Sequence, residues 1–305
     1  MTDITIQSVP DFLERVFTNK EEGFYHGVAD LRVMFRGQAN LEWCPLPAAF
    51  RTREDFLKEH FYIREYERLM PDKCAGKSGM DILIDAQHYG IPTRLLDITS
   101  NALVALFFAC GESRSGNESE EERLADGVVI QYAPAPVFMY YDPVFSVYAE
   151  YVRRYKDGIH FSDSWKDSLI DDVRNSDGRF SCNAASAVES LMSDRVWPFF
   201  ILPKYSNDRI ASQQGAFLLY TTPLVKKKGS GCRDGVFMFP DEVQYEFEKQ
   251  INFRYVIPAE VKKDILVQLD SIGVNEARLF PDVEHRAKSI VSTIRKARHM
   301  GRVVG

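Results

Sequence analysis

No apolar run in this 305-residue chain is longer than Ala102–Cys110, far too short to cross a bilayer. The start, Met1-Thr-Asp-Ile-Thr-Ile-Gln, lacks the basic stretch followed by an apolar one that an export signal requires. A cytoplasmic protein with no membrane association is therefore expected. The five cysteines, Cys44, Cys74, Cys110, Cys182 and Cys232, are odd in number and show no CxxC spacing. That argues against a disulfide framework and against a cysteine zinc cluster, so reduced thiols are expected. No His, Asp and Glu set stands at a ligand spacing either, and no metal is expected. The chain has no excess of positive charge: 38 Lys and Arg against 44 Asp and Glu leave a formal net charge of -6. Capture of nucleic acid by a global field is excluded by that sign. Internal repeats, low-complexity tracts and interdomain linkers are absent as well.

What is present suits a large core, since 45% of residues are hydrophobic and 12% aromatic. Ile4 to Val9 alternates as a strand does, and Pro10 to Phe17 reads as a short helix opened at Ser8 or Pro10. A strand through Leu31–Arg36 runs into Gly37. Phe56, Ile63, Tyr66 and Met70 share a face at helical spacing over Arg53–Met70. Met80, Ile84 and Gln87/His88 continue at that spacing until Gly90 and Pro92 stop the helix. Thr99 or Ser100 can cap a helix through the Ala102 block. Further strands are predicted at Gly127–Tyr132, from Ala216 and over Ile251–Ile257. Helices are predicted at Ser146–Asp157, over about Phe161–Arg195, from Pro258 to Ile272 and over Asp282–His299. The expectation is an α+β fold, one intertwined domain with a mixed or mainly antiparallel sheet flanked by helices. Residues 1–29 supply a strand and helix packed on the main unit of residues 30–295, and 296–305 form a tail.

Function is concentrated where polar groups crowd between apolar runs. Gln87-His88-Tyr89-Gly90-Ile91-Pro92-Thr93-Arg94-Leu95-Leu96-Asp97 lies between Ile82-Leu83-Ile84 and the Ala102 block, so its polar groups need partners near the interior. His88 can act as acid, base or donor at neutral pH, or as a core histidine bonded to a carbonyl. Arg94 and Asp97 either neutralise each other or face a ligand, and Asp97 can instead cap the following helix. Arg36 beside Gly37 suits an anion, with a planar donor fork and a glycine that admits a phosphate to the backbone. The alternative is a clamp onto Asp97 or Glu42. Arg209 and Gln213 share a helical face, Gln214 adds an amide, and Gly215 ends the turn. The amides can bond ribose hydroxyls or a base edge, or form a satisfied buried network. Tyr89 can stack on a planar ligand or simply pack. Lys226-Lys227-Lys228 and the helix bearing Arg286, Lys288, Arg295, Lys296, Arg298 and His299 are either a phosphate-binding surface or a solvated face.

Phe35-Arg36-Gly37-Gln38, the stretch Trp43-x-Pro-Leu-Pro-Ala-Ala-Phe-Arg, the Gln87–Asp97 motif and the Ala102 block closely resemble the FRG-domain family. Arg209-Ile-Ala-Ser-Gln-Gln-Gly-Ala-Phe and Gly273-Val-Asn-Glu-Ala-Arg-Leu-Phe-Pro-Asp-Val resemble its later motifs, which would extend the FRG domain over residues 30–295. The resemblance fixes kinship more than chemistry. It implies a bacterial effector of a toxin or antiphage kind, with a regulatory or antitoxin partner. Phe35-Arg36-Gly37 is also similar to the strand that opens the NAD site in many ADP-ribosyltransferases, where the arginine holds a phosphate or ribose. Those enzymes carry a catalytic glutamate before a late strand, whereas Gln213-Gln214-Gly215 stands here. The enzyme reading makes His88, Asp97 and Gln214 the catalytic residues. Arg36, Gly37, Gln38, Gln87, Arg94, Arg209 and Gln213 then bind a nucleotide-like ligand, NAD, whose ADP-ribose goes to a nucleic-acid or protein acceptor. The alternatives are a non-catalytic module that recognises nucleic acid or protein, and a nuclease or phosphodiesterase.

Overall fold

The computed structural model describes residues 3–18, 31–111, 125–132, 135–141, 143–154, 198–220 and 251–281. The expectations for the segments around 161–195, 226–233 and 282–299 lie outside these residues.

The elements run β1 (Asp3–Thr5), α1 (Val9–Thr18), β2 (Leu31–Arg32), β3 (Phe35–Gln38), α2 (Arg53–Leu69), α3 (Pro71–Cys74), α4 (Gly79–His88), β4 (Leu95–Thr99), α5 (Ala102–Ala109), β5 (Gly127–Tyr132), β6 (Ala135–Met139), α6 (Pro143–Arg154), β7 (Phe199–Leu202), α7 (Asp208–Ser212), β8 (Gly215–Leu219), β9 (Ile251–Ile257), α8 (Lys262–Ser271) and α9 (Glu276–Leu279). A 3-10 turn, Ala48–Phe50, precedes α2, and another, Ala259–Val261, leads into α8. Short polar side chains set the helix starts by taking orphan backbone donors. Thr52 accepts from the Asp55 amide at 3.0 Å, Ser78 and Asp81 form a reciprocal capping box on α4, and Asn207 and Asn275 open α7 and α9. Asn101 rather than Thr99, Ser100 or Asp97 caps α5, accepting from the Leu103 amide at 3.0 Å.

The strands form one sheet in the order β1-β9-β5-β3-β4-β8-β7-β6-β2. It is mixed, with β1–β9 and β6–β7 parallel and the remaining pairs antiparallel. The α+β expectation thus holds. Two strand readings change. Leu31–Arg36 is not one strand but β2 at the sheet edge and β3 in its middle. Leu95–Thr99, where no element is predicted, is a central strand buried on both faces except at Asp97. Such a strand shows little alternation for a period-2 reading to find.

Alternation along the central strands divides the core. Met34, Leu96, Ile98, Ile130 and Leu218 face the 3-10 turn and the start of α2. On the other face, Leu95, Phe217 and Leu219 pack with α4 and α6, while Phe35, Val129 and Tyr255 pack with α1, α5 and α8. These last two clusters lie side by side on one face. Helix α5 sits close against β3 and β5 because both strands carry a glycine beneath it. A Cβ on Gly37 would lie 1.8 Å from the Ala105 carbonyl oxygen, and one on Gly127 2.1 Å from that of Ala109.

One irregularity breaks the sheet. β3 matches β5 through all four residues, from Phe35↔Gln131 to Gln38↔Val128, but meets β4 only at Phe35↔Thr99. Beyond that pair the strands part and leave a seam in the middle of the sheet. The reduced-thiol expectation fails at Cys44, which is disulfide-bonded, while Cys74 and Cys110 are free.

Candidate functional site

Where β3 and β4 part, a cavity of about 250 Å³ opens between the two adjoining clusters. Its lining comes from five places in the chain: Phe35, Arg36 and Gly37 of β3, Ile84, Gln87 and His88 of α4, and Asp97, Ile98 and Thr99 of β4. Val104 and Phe108 of α5, with Arg209, Ile210, Gln213 and Phe217 around α7 and β8, complete it.

Each polar side chain is held by a local device. Arg36 lies opposite Ile130 on the far face of the sheet, yet its Nη1 donates to the Asp97 carbonyl oxygen at 2.6 Å. Its guanidinium thus fills the seam where a backbone ladder would otherwise continue, and its buried Nε has no hydrogen-bond partner among the described residues. The clamp alternative was right about Asp97 as the contact and wrong about the atom, which is the main-chain oxygen. Asp97 lies opposite Phe217 and so faces the cavity. Gln87, in the last turn of α4, donates from Nε2 to the Asp97 carboxylate at 3.1 Å, and its Oε1 accepts from the Thr93 hydroxyl. This chain of donors orients both Gln87 and Asp97 and leaves the carboxylate an acceptor. His88 follows Gln87 at the cavity wall, half-buried, with its ring edge-on to Tyr89.

Arg209 enters from α7 with its guanidinium stacked 4.9 Å from the centre of the Phe280 ring. That is a cation–π contact which orients the side chain without neutralising it. Gln213 lines the cavity too, but its side-chain amide donates to the Leu279 carbonyl at 3.0 Å and its main-chain carbonyl accepts from the Thr99 hydroxyl at 2.7 Å. It fastens α7 to α9 and β4, as the buried-network alternative has it.

Four expected site residues have other positions. Gly37 touches the cavity, but its missing side chain makes room for α5 rather than for a phosphate. Gln38 points to the opposite face, where its amide donates to the Trp43 carbonyl at 3.2 Å. Gln214 is exposed and does not line the cavity; it takes a left-handed φ of 45° to turn the chain from α7 into β8. Arg94 is buried with Glu59, its Nη2 2.5 Å from the carboxylate, both side chains 2% exposed. The Tyr148 hydroxyl takes another of its donors, and the rings of Phe50 and Tyr148 flank it. Burial by itself would lower the Arg94 pKa, but Glu59 and Tyr148 outweigh it and hold the group charged. Its partner is therefore Glu59 and not Asp97. Tyr89 lies exposed outside the lining, its ring 6.2 Å from that of Tyr66.

Residue reasoning gave Arg51 no role, although it ends the Trp43 motif. It follows the 3-10 turn, which the Ala49 amide ties to the Thr93 carbonyl at 3.1 Å. Its Nε donates to the Leu46 carbonyl at 3.3 Å. Arg51 is exposed as a residue, but crowding of its guanidinium lowers its pKa first, then repulsion from Arg36, with Asp97 acting the other way. The signal available in the sequence was its place at the end of a motif that the FRG resemblance already carried.

Among the described residues no group of three or more His, Cys, Asp or Glu could hold a metal ion, and no helix is long and apolar enough to cross a membrane. Comparison with curated proteins and with solved structures returns no match. A family model does match, over residues 31–118, and that segment contains β3, α4, β4 and α5, while Arg209 and Gln213 lie beyond it. The elements that create the seam and most of its lining therefore lie within this match, and residues 31–118 form an FRG domain.

Proposed function

We propose that the seam cavity binds a nucleotide-type ligand, best matched by NAD, and that the protein transfers its ADP-ribose to a macromolecular acceptor. The observation that carries this reading is convergence: Arg36, Gln87, His88, Asp97 and Arg209, from three separated motifs, line one cavity. The donor set suits that ligand. A guanidinium fork suits a phosphate, an oriented amide suits a ribose hydroxyl, and a single carboxylate suits positive charge developing on a sugar carbon. Asp97 takes the part that a glutamate near Gln213-Gln214-Gly215 would otherwise play.

In the transfer, the bond between the ribose carbon and the nicotinamide nitrogen breaks and its electron pair leaves with nicotinamide. An oxygen or nitrogen of the acceptor bonds to that carbon, and its proton passes to His88. Gln87 holds the Asp97 carboxylate in place meanwhile. The FRG resemblance favours a role for such an enzyme in bacterial toxin or antiphage defence, with a partner that holds its activity in check.

Nicotinamide release from NAD, measured with the purified chain and candidate acceptors, tests the reading. Asp97→Asn should slow release by about 100-fold or more, the scale of losing an oriented electrostatic group in an active site, with an unchanged Tm. His88→Ala should also lose activity with an unchanged Tm. If calorimetry detects no NAD binding and no acceptor supports release, the reading is wrong and the cavity belongs to a recognition module instead.

A further inference from the structure

Arg36 and Arg51 stand on the same side of the seam. Arg36 lies opposite Ile130, which packs with Ala49, Phe50, Met34 and Tyr220 on one face of the sheet; Arg51 follows Phe50 and donates to the Leu46 carbonyl at 3.3 Å, next to the Pro45 carbonyl that accepts from the Tyr220 hydroxyl at 2.8 Å. The Arg51 guanidinium is harder to charge than usual, first through burial and then through repulsion from Arg36. Arg36 also opposes the upward shift that burial imposes on Tyr132 and Tyr220, which places its charge beside both hydroxyls.

Neither arginine has a carboxylate in ion-pair contact among the described residues. Asp97, whose charge acts on Arg51, takes a hydrogen bond from Gln87 and gives Arg36 only its main-chain oxygen. The Leu46 main-chain oxygen likewise accepts from Nε of Arg51. Two like charges held at fixed positions by neutral acceptors are unfavourable in the free protein, and a doubly charged anion removes that penalty. Contrast Arg94, which the fold neutralises completely with Glu59. The chain thus treats its buried arginine as structure and gives these two no ion-pair partner among the described residues.

We infer that Arg36 and Arg51 together form a diphosphate subsite at the open end of the β3–β4 seam, with Arg51 as the outer, specificity-determining member. The inference deepens the NAD reading, on which its assignment to the same ligand rests. It orients that ligand: the diphosphate spans the seam from the far face, and the ribose to be transferred lies in the cavity beside Asp97, Gln87 and His88. Arg209, on the opposite wall, then serves the remainder of the ligand or the acceptor and not the diphosphate.

Calorimetry on the full chain with inorganic pyrophosphate, ADP-ribose and NAD tests this. Arg51→Gln should weaken pyrophosphate and ADP-ribose by about tenfold or more, the scale of one charge-assisted contact, without moving the Tm. Arg51→Lys, which keeps the charge but loses the fork, should fall between. The dependence of pyrophosphate binding on salt should flatten in Arg51→Gln. Should Arg51→Gln bind both anions as the parent does, the subsite is refuted while the transferase reading stands on NAD binding. Should the parent bind pyrophosphate through Arg51 but not NAD, the subsite stands and the transferase reading fails. No binding of any of the three overturns both.

Discussion

The Arg94–Glu59 pair illustrates how a residue in a site-like motif serves the fold. Both side chains are 2% exposed, so each charge has left water and depends on the other. Nε and Nη2 of Arg94 both reach the carboxylate, and Glu59 also accepts from the Arg94 amide at 2.9 Å. Removing one member leaves an uncompensated buried charge, which costs about 3–5 kcal/mol. Glu59→Gln should lower the urea unfolding free energy by about that amount, whereas Asp97→Asn, at an exposed carboxylate, should change it by less than about 1 kcal/mol. Equal stability of Glu59→Gln and the parent would refute the structural assignment. The sequence made plain that Arg94 needs a carboxylate but not which one. Asp97 is three residues away, and along extended chain an odd separation sends side chains to opposite faces. The true partner comes from α2, 35 positions earlier, a distance no local pattern spans.

Among elements, the informative case is the fit of α5 onto β3 and β5. The Phe-Arg-Gly motif reads as a ligand signature, yet its glycine answers a packing demand: a methyl at Gly37 would sit 1.8 Å from a helix carbonyl. Gly37→Ala must push α5 off the sheet, and overpacking of that severity costs about 1–3 kcal/mol or more. Gly90 offers a control. Nothing lies within 4 Å of its added Cβ, but its φ of 85° is left-handed, so Gly90→Ala should lose only about 1–2 kcal/mol through backbone strain. Gly37→Ala should also reduce NAD binding, because α5 supplies Val104 and Phe108 to the cavity, while Gly90→Ala should not. Thermal melts with calorimetry separate the two. Most elements were legible from periodicity and caps: β9 matches its expected bounds, and α2 and α4 end within a residue or two of theirs. β4 was not, because a strand buried on both faces and interrupted by one aspartate carries neither the alternation of a surface strand nor the length of a helix. The site was legible in its residue types, through Arg36, Gln87, His88, Asp97 and Arg209. The seam that unites them was not, since it arises from a strand pairing that stops after one residue.

Across the whole molecule, the N-terminal β1 pairs parallel with β9, and α1 packs with α8 and Tyr255, so residues before the FRG match belong to the same core as α5. That core holds Cys110 and Lys262 together. Lys262 donates from Nζ to the Ala39 carbonyl at 2.6 Å, and burial lowers its pKa. Cys110 is 3% exposed; burial pushes its thiol up from an ordinary 9.0 to about 12, with Lys262 opposing. A raised folded-state value means that the native protein keeps a proton which the unfolded chain has lost. The contribution is therefore complete below 9.0 and disappears as pH climbs toward about 12. Tyr66 and Tyr148, each lifted to about 12 from 10.0 by burial, act with the same sign but begin a unit later. Lys262 acts with the opposite sign, since its lowered value makes the unfolded chain the better proton binder below 10.5. The interval from pH 9 to 10 therefore isolates the thiol best. There the stability advantage of the parent over Cys110→Ala, taken from urea unfolding at each pH, should shrink by roughly 1 kcal/mol per pH unit. The tyrosines are common to both proteins and cancel in that difference. Parallel stability profiles for the two proteins across this interval would show that Cys110 titrates alike folded and unfolded, and that the β5–α5–α8 core is open to water where the structure closes it.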